Sequence, residues 1–148
     1  MRRVQQVGEI LRFGGVGLDS AIREFAILVV ARHWNQAVEW GIHRRIAIEV
    51  GVPEEVCAAI GSRRRPGLLP KGFAGAFDVI TELLHTTDLG DATFDRAIDE
   101  LGEQGLVELA TLVGYYSTLA MVMNIAHTPP PEGAPPLPPH GGTTWCSS

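Results

Sequence analysis

Gln36, Glu39 and His43 recur at i, i+3 and i+7. On a helix of about 3.6 residues per turn they share one face, with Glu39 and His43 one turn apart. Glu24 precedes them on the adjoining apolar run. A carboxylate within reach of an imidazole raises its pKa and fixes which ring nitrogen carries the proton. Such a pair can carry general acid–base chemistry. The same spacing also describes an ordinary ion pair on a helix surface, and spacing alone leaves both readings open.

The stretch Glu24–Gly51 has to position these groups. Asp19 or Ser20 suits the N-cap of a helix through Ile22, Phe25, Ala26, Val29 and Val30. Between Phe25 and Ala31 it is apolar on most of its circumference, so it should be central. The pattern loosens at His33-Trp34-Asn35, where a bend is expected. The helix carrying Glu39 and His43 follows and should stop at Gly51.

The remaining elements also read as helices. Val4–Phe13 has a helical stripe that ends in the glycines at 14, 15 and 17. Pro53 suits the first turn of a short helix through Val56, Cys57 and Ile60. Pro70 should open another helix, buried along Phe73, Phe77, Ile80, Leu83 and Leu84. Asp91 should cap a helix through Phe94, Ile98 and Leu101, and Gly102 and Gly105 bracket a break. The last helix runs from Leu106 to about Ala126. No alternation of period two occurs, so the expected fold is all-α, a compact bundle of about six to seven helices over residues 1–127.

Residues 128–148 hold seven of the ten prolines and few apolar anchors, and are expected to be disordered or extended. With 148 residues, 45% of them hydrophobic and 20% charged, the composition is that of one globular domain. A net charge of -5 argues against nucleic acid as the main partner. No apolar run approaches the ~20 residues of a membrane span, and Met1-Arg2-Arg3 precedes no apolar signal core, so a cytoplasmic location is expected. Cys57 and Cys146 form no CxxC, and no His/Asp/Glu set has recognised metal spacing. No metal and no cofactor are expected.

The run REFAILVVARHW…EWGIHRRIAIEVGVPEE resembles the carboxymuconolactone decarboxylase family, within the alkyl hydroperoxidase D-like superfamily. The resemblance continues through FDVITELL and GDATFDRAIDELGEQGLVELATLVGYY and ends near Asn124. In the hydroperoxidase branch the two redox cysteines would fall on Gln36 and Glu39, neither of which can form a thiolate. Peroxidase chemistry would need Cys57, which lies outside that motif. The decarboxylase branch lacks the cysteines and keeps the histidine.

The resemblance therefore implies a cofactor-free lyase or isomerase of aromatic catabolism, acting on a small carboxylated lactone or unsaturated acid. It makes His43 the acid–base group, Glu39 its i,i+4 partner and Glu24 a second carboxylate that orients or tunes it. Arg32 is a candidate clamp for a substrate carboxylate, or else a surface ion pair. Gln36, Trp40 and Tyr115 are candidate substrate contacts, although aromatic residues at helical spacing commonly belong to the core. Of Tyr115 and Tyr116 only one can point inward. Family members assemble as trimers or hexamers, and a mean hydropathy of +0.11 fits surface buried between subunits. A non-catalytic oligomeric module holding an apolar acid is the competing expectation.

Overall fold

A computed structural model describes residues 17–139 and Trp145. The helix expected over Val4–Phe13 lies outside them. Among the described residues there are five helices and no strand: α1 (Ser20–His33), α2 (Ala37–Glu49), α3 (Glu54–Gly61), α4 (Phe73–Thr86) and α5 (Asp91–Ile125). The all-α class is as expected. The six to seven helices expected compare with five here, partly because α5 runs through the break expected between Leu101 and Leu106. Only Gly102 leaves helical geometry (φ 72°, ψ 170°), so the two segments meet across a kink.

The core forms around α1. Every residue from Phe25 to Ala31 is fully buried, and α1 packs against all four other helices. Phe25 meets Phe73 edge-on at 5.0 Å and Phe77 at 6.4 Å, joining α1 to α4. Burying a side chain of that size stabilises the fold by roughly 1.5–3 kcal/mol. Asp19 caps α1 by accepting from Ala21 N at 2.8 Å. Basic Arg32 stands in its last turn, where the helix dipole favours a positive charge.

The chain reverses at Asn35 (φ 52°), where the sequence predicts a bend, and α2 gives way to Gly51 (φ 98°) as expected. The predicted start of α4 is displaced. Pro70 stands three residues before Phe73, and the free amides of Gly72 and Gly75 both donate to Glu100 Oε2 at 2.9 Å. A carboxylate from α5 thus satisfies the positive end of α4, where no local cap is present. Asp78 of α4 also receives Arg65 and Arg96, the latter at 2.6 Å.

By length and mean hydropathy, α5 is apolar enough to cross a membrane, although 33% of its apolar window is already buried inside this domain. The sequence count of uninterrupted apolar residues passes over it because Glu108, Thr111 and the tyrosines interrupt it. Residues 128–139 form no helix or strand and run along α2 and α3. Trp145 packs against Phe77 at 5.1 Å.

Candidate functional site

Glu24 and His43 meet in the interior, one from the middle of α1 and the other from α2. His43 Nδ1 lies 2.7 Å from Glu24 Oε2, and the two residues are 5% and 6% exposed. A carboxylate can only accept at this distance, so Nδ1 carries the proton and the lone pair of the neutral ring lies on Nε2. Tyr116 of α5 stands edge-on to the imidazole, its ring centroid 5.1 Å away and perpendicular to it.

Glu39 is one turn earlier on α2 and 3% exposed. The i,i+4 spacing predicts it as the partner of His43, but the hydrogen bond at Nδ1 is made by Glu24 from a different helix. Both Glu39 carboxyl oxygens are buried without a hydrogen-bond partner. Burial pushes its pKa from 4.5 up to about 8, so the carboxyl is mainly protonated at neutral pH. The site thus combines a carboxylate partnered with imidazole and a second, neutral carboxyl group that can donate a proton. The hydroxyl of Ser117, the residue after Tyr116 in α5, is likewise buried without a partner.

The other candidate residues have different surroundings. Gln36 caps α2, its Oε1 accepting from Val38 N at 2.6 Å, and its Nε2 donates to Asn124 Oδ1 at 2.9 Å. Asn124 in turn donates to the Trp34 carbonyl, so this amide pair ties the start of α2 to the end of α5.

Arg32 is neither a surface ion pair nor aimed at a carboxylate. Its guanidinium donates to the carbonyls of Gly61 (2.9 Å) and Pro138 (2.7 Å) and to Asn35 Oδ1. Burial, with Arg63 close by, lowers its pKa to about 10. Trp40 is 1% exposed, with its ring against Gly61 and Nε1 donating to the Pro136 carbonyl at 3.2 Å. Arg32 and Trp40 therefore hold α3 and the proline segment.

Tyr115 is half-buried beside Tyr116, its ring centroid 5.2 Å away. The tyrosine that touches His43 is Tyr116, which the spacing of Leu109, Leu112, Val113, Tyr116 and Ala120 along α5 could have singled out. Cys57 is fully buried, and its thiol is pushed up to about 11, mainly by burial. That is the opposite of what an attacking thiol requires. No group of three or more His, Cys, Asp or Glu side chains among the described residues could hold a metal ion.

A cleft of about 300 Å³ lies on the outer face of α2. It is lined by Gly41, Ile42, Arg45, Ile46 and Glu49, and by Pro131, Glu132 and Ala134 of the proline segment. Neither Glu39 nor His43 lines it. No protein-family profile, curated protein or solved structure matches this chain.

Proposed function

We propose that the Glu24–His43–Glu39 cluster is the centre of a cofactor-free acid–base lyase or isomerase acting on a small carboxylated lactone or unsaturated acid. This reading takes the fold as alkyl hydroperoxidase D-like and the chain as a homo-oligomer, a trimer or hexamer. The observation that carries it is the buried, partnerless Glu39 carboxyl one turn from an imidazole already oriented by a second carboxylate. Two carboxyl groups with opposed environments are the arrangement that separates an acid from a base at one pH.

In a decarboxylation, the bond to the departing CO2 breaks and leaves its electron pair in a conjugated dienolate. Glu39 then delivers its proton to carbon and is reprotonated from solvent, so one substrate carboxylate and one proton give CO2 and the protonated product. In an isomerisation, His43 Nε2 takes a proton from one carbon while Glu39 gives one to another, and His43 then releases its proton to solvent as Glu39 regains one. Glu24 accepts from Nδ1–H throughout and stabilises the imidazolium. Neutral Glu39 can also donate to the substrate carboxylate, the task expected of Arg32. The three groups are almost fully enclosed, so substrate enters when an element moves aside.

The test is a pH titration of the His43 ring by NMR, alone and with a panel of small unsaturated acids and lactones. A titration that moves with one compound is expected, and identifies the substrate class. A titration indifferent to every compound would overturn the reading. The cleft on the outer face of α2 favours a second reading, a binding module for an apolar acid, because Ile42, Ile46 and Pro131 offer apolar walls beside Arg45. Under that reading the compounds would shift Ile42 and Arg45 signals and leave His43 unmoved.

A further inference from the structure

The segment after α5 is restricted to few conformations by its own sequence. Ala134, Pro135, Leu137 and Pro138 each precede a proline, which disfavours helical backbone at all four, and the prolines fix their own φ. A segment with so little freedom loses little on docking. It lies against α2 and α3 through contacts of the kind that read proline-rich peptides. Trp40 Nε1 donates to the Pro136 carbonyl, Arg32 Nη1 donates to the Pro138 carbonyl, and Leu137 between them packs on the core.

Gly41 leaves room for the segment. A Cβ there would stand 2.7 Å from the Ala134 Cβ. Glycine inside a helix costs roughly 1 kcal/mol relative to alanine, so helix formation does not account for Gly41, whereas close approach of the segment does. Trp40 and Arg32 are 1% exposed, and their donors would lose these acceptors if the groove emptied.

We propose that this groove is a recognition site for polyproline-type segments and that it takes residues 134–139 of a second copy, each chain lending its tail to the next. The contacts would be the same as those made within one chain, so exchange sacrifices none of them. The connection permits exchange. Residues 126–133 are all exposed, and the turn that ends α5, with His127 at φ 50°, is held by backbone bonds from His127 N to Asn124 O and from Thr128 N to Met123 O, so the segment can leave in another direction at the cost of those two contacts. Where that connection leaves α5, Met121, Val122 and Ile125 are 41, 52 and 80% exposed, an apolar patch that a second copy would cover. The proposal is independent of the acid–base chemistry. It adds to the proposed assembly the segment that ties the copies together.

The experiment is sedimentation velocity of the full chain over a wide dilution series, with the Trp40 indole N–H followed by NMR. Gly41→Ala keeps α2 helical and drives Ala134 out. A synthetic peptide of residues 130–139, added in excess to the unmodified chain, competes without any substitution. The expected result is an assembled species that Gly41→Ala and the peptide each convert to single chains, the peptide keeping the Trp40 signal near its original position. Assembly that survives both treatments would show that the copies meet through helix faces alone and would overturn the exchange. A single chain at every concentration would overturn it equally, with the tail docked in its own groove.

Discussion

Glu39→Gln is expected to remove a pH dependence of stability on the order of 5 kcal/mol. In the unfolded chain the Glu39 carboxyl titrates near 4.5, and in the folded protein burial raises it to about 8. Between those values the folded state binds the extra proton, so the stability to unfolding falls as pH rises. The full benefit of the neutral form is present below about pH 4.5 and is lost by the time pH passes about 8. The gap corresponds to roughly 1.4 kcal/mol for each tenfold change in proton concentration. Glutamine keeps the shape and neutrality of the protonated acid, so the fall in stability that Glu39 causes across this range should vanish, and the variant should be more stable than the unmodified protein at pH 8.5. Urea unfolding of both proteins at pH 5 and pH 8.5 measures this directly. Parallel curves would mean that Glu39 is ionised in the folded state, which would also remove the proposed proton donor.

His43→Ala should cost about 3 kcal/mol of stability, the upper end of the usual penalty for leaving a buried hydrogen-bonding group, here a carboxylate, without its donor. Glu24 lies in the middle of α1, and the bond to Nδ1 is what offsets the burial of its carboxylate. The companion change Glu24→Gln should be milder, and the double variant should cost less than the two single changes together. A coupling of that sign measured in denaturant unfolding locates the pair. Turnover of whichever acid shifts the His43 titration should fall by about 10²–10⁴ in His43→Gln, the usual contribution of a positioned acid–base group. Independent, additive costs would mean that the two side chains do not depend on one another.

Local signals read well because they depend on near neighbours. The apolar circumference of Phe25–Ala31 announces a central helix, the loosened pattern at His33–Asn35 announces the turn, and Gly51 and Gly102 mark backbone that leaves the helix. The proton-handling cluster was legible as a list of residues but not as a set of contacts. Spacing pairs Glu39 with His43, whereas the packing of α1 on α2 brings Glu24 to Nδ1 and leaves Glu39 unpartnered. The contact that separates the two carboxylates is long-range, and no periodicity within one helix contains it. Arg32 shows the same limit. Its type suggests a carboxylate clamp, and only the fold reveals that carbonyls of α3 and the proline segment already occupy it. Tyr116 was within reach of sequence reasoning, through the period of α5.

The kink at Gly102 has a consequence for how the protein breathes. Helical amides exchange with solvent through openings of contiguous stretches, and an interrupted ladder lets the stretches on either side open separately. Asp91–Leu101 has Ala97 as its one buried residue, whereas the part beyond the kink contributes Leu109, Leu112, Val113, Tyr116 and Ala120 to the interior. In native-state hydrogen exchange the first eleven residues of α5 should therefore open at a lower free energy than the rest. Because Glu100 travels with them, the amides of Gly72 and Gly75 at the start of α4 should lose protection in the same event.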